Sequence, residues 1–381
     1  MIRVGIIGAN PDRGWAVSAH IPALRALPEQ YRLTAMATSN EDSARRAGEA
    51  FGVDHAFADH RRLVEHPEVD LVLVTVKVPA HLELAGAAIT AGKHVYCEWP
   101  LTVTTEQALK LADAADAQGV RTAIGLQTRF SPAVARALEV ITAGGIGRVN
   151  SITTHITRAK ASGATIPGWM AYTLDPSAGA GPLEIHGGHT LDVVRFLAGP
   201  LTLRPAVTAL ANPRYTIAET GDVIEATNPD QYVISGTSAE GATVSVSVHH
   251  GVAGPSRARI EISGSDAELL IEPVPGALGG AFLGISPLRL RAIRTGDADW
   301  RDADLPAWTG QPEWSGLPEP ALNIARFYQR FAEDLRTGAH LVPDFRAAVE
   351  VHQLLDSVRP TGVSDNVFVQ ATTALRTAAQ R

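Results

Sequence analysis

Two hydrophobic periods alternate along the first third of the chain. Short apolar runs rich in β-branched residues fall at Arg3 to Gly8, Arg32 to Ala37, Asp70 to Val76, Lys93 to Cys97 and Arg121 to Leu126. Between them, Ala16 to Leu27, Asn40 to Phe51, Ala80 to Ala91 and Thr105 to Gln118 repeat apolar residues at helical spacing. The first kind of run predicts buried strands and the second amphipathic helices. Their regular alternation predicts parallel βαβ units with right-handed crossovers, so residues 1–127 are expected to form a doubly wound α/β domain.

After Gln127 the period changes. A helix from Pro132 to Ala143 ends at Gly144-Gly145, and Val149 to Arg158 alternates with period two. A Gly/Pro-rich stretch from Ala161 to Pro182 leads to a helix containing Thr190 to Leu197. Further alternating runs lie at Pro205 to Leu210, Gln231 to Thr237, Ala242 to His249, Ala258 to Ser263, Glu268 to Glu272 and Leu288 to Ile293. Gly276 to Pro320 otherwise reads as loop, and helices at Ala321 to Thr337 and Phe345 to Val358 close the pattern. Residues 128–381 are therefore expected to form an α+β domain with a large open, mainly antiparallel sheet.

Composition narrows the partners. With 381 residues and 45% hydrophobic positions the chain can fill two cores. A net charge of -7, with no basic block, excludes a nucleic-acid surface. The single Cys97 cannot form an internal disulfide, as suits a reducing compartment. No apolar run is long enough for a bilayer and no leader pattern precedes the first strand, so a cytoplasmic protein without a membrane partner is expected.

The first strand runs into Gly8-Ala9-Asn10-Pro11-Asp12-Arg13-Gly14-Trp15. A dinucleotide-binding (Rossmann) loop needs glycine at its tight turn, at the pyrophosphate and against the helix. Gly8 and Gly14 meet the first and third needs. Asn10 stands in the second place, where its tolerance of left-handed backbone is expected to serve. Arg13, and the helix beginning near Trp15, would face the anion. After the second strand come Thr38, Ser39 and Asn40 instead of a ribose-binding acid, which leaves room for a 2'-phosphate near Arg45 or Arg46. NADP is expected ahead of NAD.

Several motifs in matching order, Val4-Gly5-Ile6-Ile7-Gly8, Glu98-x-Pro100, Arg129-Phe130-Ser131-Pro132, Gly144-Gly145-Ile146-Gly147 and Gly188-His189-x-x-Asp192, resemble the glucose-fructose oxidoreductase, inositol dehydrogenase and rhizopine-catabolism (Gfo/Idh/MocA) family over nearly the whole chain. The resemblance implies a nicotinamide-dependent oxidoreductase of a sugar, cyclitol or related polyhydroxyl compound. It also implies a homodimer or homotetramer formed through the C-terminal sheet. Where that family carries a catalytic lysine and an aspartate, this chain has Trp99 and Ile185, and of the usual trio only His189 remains. Gly14-Trp15-Ala16, Glu98-Trp99, Leu126-Gln127 and Gly188-His189-Thr190-Leu191-Asp192 are similar to the branch of the fungal galactose-regulon repressor. That likeness implies the alternative of a catalytically silent NADP-binding regulator. Elimination or isomerisation beside a carbonyl, with the cofactor retained, is a third reading.

Individual residues are weighed on this basis. His189 is the expected acid/base group, because imidazole changes charge near neutrality, and Asp192, three residues on, would orient it or the substrate. Lys77, after the third-strand run, would restore the missing cation or bind cofactor oxygens; a solvated lysine is the ordinary alternative. Glu98, Trp99 and Gln127 are expected at the cofactor, with the Trp99 indole covering the nicotinamide or a sugar face. Arg129, Arg158, Trp169, Tyr172 and His186 are candidate substrate contacts, whereas His81 and Cys97 are assigned structural roles. The stretch EIHGGHTLD is dense in titratable groups, but its spacing is generic and no metal is expected.

Overall fold

The computed structural model describes residues 1–159, 164–277, 282–306 and 314–359. They form two units. The first comprises the described residues of Met1–Ala135, Gly284–Pro287 and Leu305–His352, and the second those of Arg136–Leu283, Leu288–Asp304 and 353–359.

In the first unit, β1 (Ile2–Ile7), β2 (Tyr31–Ala37), β3 (His55–Phe57), β4 (Leu71–Val74), β5 (His94–Cys97) and β6 (Thr122–Ile124) make one parallel sheet in the order β3-β2-β1-β4-β5-β6. The order reverses between β1 and β4, so the loops at their carboxyl ends diverge and leave a crevice. The intervening helices start and stop where local chemistry dictates. Asn40 accepts from the Ser43 N–H to cap α2 (Glu41–Phe51), and Gly52 ends that helix in left-handed backbone. Thr104 and Gly119 do the same for α5 (Thr105–Gln118).

The helix expected over Ala16 to Leu27 is a wide π-turn, Ala16–His20, followed by a short α1, Ile21–Arg25. Pro22 is the reason, since it has no N–H to give to the regular ladder. A second correction concerns α8 (Glu319–Thr337), which was expected in the second domain. Its buried face, including Ile324, Phe327, Tyr328 and Phe331, joins the core of Val4, Ile6, Leu24, Tyr31 and Tyr96. Periodicity shows that a helix has a face to bury, but not which distant surface receives it.

The second unit is built on β7 (Val149–Ala159), β9 (Leu201–Leu203), β10 (Val207–Ala209), β13 (Gln231–Ser238), β14 (Thr243–Val252), β15 (Arg257–Gly264), β16 (Ala267–Pro273), β17 (Leu288–Arg294) and β18 (Arg301–Asp302). They form a nine-stranded sheet in the order β10-β13-β14-β7-β15-β16-β17-β18, with β9 also on β13. Its pairs are antiparallel except β7 with β14, which run parallel from Ser151 opposite Thr243 to Arg158 opposite His250. Period-two patterning does not distinguish the two directions, so this pair was not foreseen. Ile152, Ile156, Val246, Val248, Ile260 and Ile262 fill the buried face. A small sheet of β8 (Thr165–Ile166), β11 (Arg214–Ile217) and β12 (Val223–Glu225) is also new. Among the described residues no helix is long and apolar enough to cross a membrane.

Candidate active site

A candidate dinucleotide site lies in the first unit, at the carboxyl ends of β1, β2 and β4. A cleft of about 580 Å³ there is lined by Gly8, Asn10, Thr38, Ser39, Asn40 and Arg46, among others. Gly8 has a φ of +103°, and a Cβ on it would lie 2.5 Å from Val76 Cγ1. Gly14, at φ +105°, has nothing within 4 Å of such a Cβ, so open space remains over the loop. These glycines leave a cradle that side chains would fill, as a bound pyrophosphate requires.

Asn10 acts differently from expectation. Its backbone is not left-handed; its Oδ1 instead accepts the Asp12 N–H at 2.9 Å, and its carbonyl accepts from Arg13 N–H. A short amide that bonds its own loop gives the tight turn without the unusual backbone. Arg13 is exposed, and the half-buried Trp15 has an indole N–H with no acceptor among the described residues.

At the end of β2, the Thr38 and Ser43 hydroxyls pair at 2.6 Å and Asn40 caps α2, so these polar groups are already ordered. Of the two arginines considered, Arg46 lines the cleft, while Arg45 is held by Asp42 and Glu49. Arg46 has only long contacts, 3.7 Å to Asp12 and 3.8 Å to Asp42. The lining contains no carboxylate. A larger hollow of about 690 Å³, lined by Met1, Glu29, Asp70 and His94, sits at the opposite, amino ends of the strands and is not where this fold binds ligands.

Lys77 is exposed directly after Val76, a cleft residue. His81 has the structural role expected of it. Buried, with burial lowering its pKa, it places Nδ1 2.9 Å from the Pro100 carbonyl and Nε2 3.0 Å from that of Val76. It thereby ties together the chain beyond β4 and β5. Cys97 is fully buried and its thiol pKa is raised by burial, which makes it core and not nucleophile.

Trp99 departs from its expected place over a ligand. It is only 6% exposed, and its ring packs 4.8 Å from that of His352 in α9 (Phe345–Val358). An indole gains most by burying its whole face, and His352 supplies the partner. Gln127 is buried, and its Oε1 has no partner among the described residues. Arg129 is half-buried in the turn Gln127–Phe130.

The other candidates gather in the second unit. His186 lies in the π-turn Leu183–Gly187, and His189 and Asp192 lie on α7 (Gly188–Ala198). The Phe282 ring meets both imidazoles edge-on, 5.0 Å from His186 and 5.2 Å from His189. His250, on β14, packs 4.6 Å from His186. Burial holds His189 and His250 at about 4, with Arg158 a secondary cause for His250; His186 is pushed well below its ordinary value. All three are neutral at pH 7. His189 Nδ1, His186 Nδ1 and His250 Nε2 have no hydrogen-bond partner among the described residues.

Asp192 was expected to orient the His189 ring or the substrate; it is fully buried, and His189 Nδ1 has no hydrogen-bond partner among the described residues, so the ring is not held through that nitrogen. Glu184 is likewise committed elsewhere, 2.9 Å from Arg359 and accepting the Gly181 N–H. The one grouping of three metal-type side chains among the described residues, His55, His66 and Glu68, lies at the edge strand β3, where the Glu68 N–H occupies His66 Nδ1.

A cavity of about 150 Å³ adjoins His186 and His250 and is completed by Met170, Leu174, Asn212 and Tyr215. From the turn Gly168–Leu174 it is Met170, Thr173 and Leu174 that line the cavity; Trp169 is exposed and Tyr172, its pKa raised by burial, does not line it. A three-residue turn repeats faces at i and i+3, which groups 170 with 173 and sets 169 and 172 on another face. The cavity's carboxylate, Asp230, is saturated by the N–H groups of Ala211 and Asn212 and the side chains of Asn212 and Gln231. Sequence reasoning missed His250 and Phe282. The doubled His249-His250 ending an alternating run was a signal for the first; Phe282 had none.

Residues 2–126 match the profile described as "Oxidoreductase family, NAD-binding Rossmann fold", and residues 132–273 match "Gal80p, C-terminal domain". The N-terminal third is thus a Gfo/Idh/MocA-type NAD-binding domain, followed by a domain of the Gal80p C-terminal type. Relatives of the chain divide between enzymes and regulators. Dehydrogenase aclE of Aspergillus oryzae is 33% identical over 62% of this chain and 66% of its own length. The galactose/lactose metabolism regulatory protein GAL80 of Saccharomyces cerevisiae is 26% identical over 63% of this chain and 58% of its own. The matched part thus spans less than two thirds of either the aclE or the GAL80 sequence. Among solved structures, a super-repressor mutant of the Saccharomyces cerevisiae Gal80p superposes with a TM-score of 0.81 at 24% identity, covering 94% of this chain and 95% of that one. A levoglucosan dehydrogenase in complex with NADH and L-sorbose gives 0.79 at 23%, covering 96% and 97%. At these identities the structures attest the fold.

Proposed function

We propose that this protein is a nicotinamide-dependent oxidoreductase of a sugar, cyclitol or related polyhydroxyl substrate, with NADP preferred. The observation that carries the reading is the dinucleotide cleft, with Gly8 kept bare on its lining and Gly14 farther along the same loop. Arg46 on a lining without carboxylates supports the 2'-phosphate, since a ribose-binding acid would repel it. A structural neighbour solved with NADH and L-sorbose supports the substrate class.

A bound nicotinamide supplies the hydride acceptor or donor. The chain's own task is to orient the substrate, exclude water and move one proton. His189 is the acid/base group. Its neutral imidazole accepts the hydroxyl proton as loss of hydride makes that hydroxyl strongly acidic, so a conjugate acid near 4 suffices. His186, His250 and Arg158 bind substrate oxygens. Lys77 contacts cofactor oxygens. As in the family, the sheet's outer face forms a homodimer or homotetramer, measurable by light scattering, and the protein acts in the cytoplasm.

The regulator reading is favoured by one specific observation. The position of the expected lysine is filled by Trp99, buried against His352, and the C-terminal profile is that of Gal80p. The two readings separate in an absorbance assay at the reduced-nicotinamide band. NADPH-loaded and NADH-loaded protein is challenged with keto-sugars and inososes. Oxidation above the no-substrate rate, abolished in His189→Ala, supports the enzyme. Tight binding without oxidation across the panel supports the regulator.

A further inference from the structure

In the first unit, His20 is fully buried in the π-turn ahead of α1, and both ring nitrogens are engaged. Nε2 lies 2.7 Å from Glu98 Oε1 and Nδ1 lies 2.7 Å from the Tyr328 hydroxyl. A carboxylate only accepts, so Nε2 carries a proton and donates to it, while Nδ1 and the Tyr328 hydroxyl share the second bond. Tyr328 is fixed in turn, because the Tyr31 hydroxyl donates to its main-chain carbonyl at 2.8 Å. The Tyr96 ring closes the other side of His20 edge-on, at 5.1 Å.

Glu98 is therefore held in one orientation by groups from the π-turn and α8, with a side chain only 15% exposed. Gly125 completes the enclosure: a Cβ there would stand 2.8 Å from Glu98 Oε2. The carboxylate sits directly after β5, at the carboxyl end of the sheet, one strand from the switch point where this fold places its ligand. Beside it in sequence is Trp99, which carries no charge. For stability alone, apolar side chains of the same volume would serve as well as this ionic network. What the network provides is a carboxylate held in one place at the ligand end of the strand.

We propose that Glu98, locked by His20 and Tyr328 at the end of the neighbouring strand, outside the lining of the cleft itself, makes the site select the oxidised form of the dinucleotide, whose nicotinamide ring carries a positive charge absent from the reduced form. The inference rests on the dinucleotide reading above but holds for enzyme and regulator alike. In a regulator it makes occupancy follow the oxidised-to-reduced ratio. A unit charge within about 10 Å, at an effective dielectric near 20, shifts binding by about tenfold or more.

The test is calorimetric titration of the full chain with NAD+, NADH, NADP+ and NADPH separately. The oxidised form of the favoured nucleotide is expected to bind about tenfold or more tightly than its reduced form. Glu98→Gln, which keeps the shape and removes the charge, is expected to bring that ratio within about threefold of one. Trp99→Lys, which sets a cation beside the carboxylate, lowers it too, and decides the matter if Glu98→Gln does not fold. Tyr328→Phe, which releases the imidazole, lowers the ratio while Glu98 keeps its charge. General destabilisation weakens both forms alike and leaves the ratio unmoved. A wild-type ratio near one or favouring the reduced form overturns the proposal, as does a ratio that Glu98→Gln leaves unchanged. Binding of none of the four forms defeats the dinucleotide reading itself, and the proposal with it.

Discussion

Two glycines of one loop, Gly8 and Gly14, share a backbone conformation and differ in surroundings, so replacing each by alanine separates strain from collision. Both have φ near +105°, at +103° and +105°. Forcing an L side chain there costs about 1–3 kcal/mol at either position. Only at Gly8 does the new methyl meet atoms: Val76 Cγ1 at 2.5 Å and the Thr75 carbonyl oxygen at 2.9 Å. Overpacking of this kind adds about 1–3 kcal/mol. Gly8→Ala is thus expected to destabilise the first unit by about 2–6 kcal/mol and Gly14→Ala by about 1–3. At about 2–4 °C per kcal/mol for a unit of this size, the two melting points should differ by several degrees. Because Val76 lines the cleft, Gly8→Ala should also weaken dinucleotide binding out of proportion to its effect on folding. The assay is thermal unfolding of the first unit with and without nucleotide. A Gly14→Ala variant that loses as much stability as Gly8→Ala would refute the reasoning, since the collision would then contribute nothing.

Other outcomes follow from the same geometry. Arg46→Ala should weaken NADPH binding about tenfold or more while leaving NADH within about twofold, measured by titration, as expected for loss of one charge-assisted phosphate contact. Arg359→Ala takes the guanidinium away from the buried Glu184 and should cost about 3 kcal/mol in urea unfolding, more than Glu184→Gln, which removes the buried charge and leaves the Arg359 guanidinium partly exposed to solvent. His189 and His250 have folded pKa values of about 4, below the ordinary 6.5, so the unfolded chain binds their protons first as the solution acidifies. The stability they contribute is complete above pH 6.5 and is lost as pH falls from there towards 4, by at most about 3 kcal/mol for each buried imidazole. Urea midpoints at pH 7 and pH 5 should show this fall, and His250→Gln should make it shallower; equal midpoints would contradict the buried neutral imidazoles.

The sequence by itself determined the local elements and the identity of the loop chemistry. The periods of β1 to β6, of α2 and α5 and of the helix His81–Thr90 are properties of short segments, and so are the caps at Asn40, Gly52, Thr104 and Gly119. Gly8 and Gly14 could be placed for the same reason: their backbone need is local and only glycine satisfies it cheaply. That Trp99 and Ile185 stand where the resembling family is expected to carry a lysine and an aspartate is likewise a reading of short motifs. What the tertiary structure decided were the pairings between residues far apart. Tyr328 reaches His20 from more than 300 positions away, at a separation of 308. α8 joins the first core, β7 lies parallel to β14, and His250 and Phe282 meet His186. No period or local propensity encodes such meetings, because an apolar face or an imidazole is equally satisfied by any partner of the right shape and polarity. Trp99 shows the division within one residue: the sequence set an indole at the strand end, and only the packing of α9 turned it from an open ligand wall into a ring buried against His352.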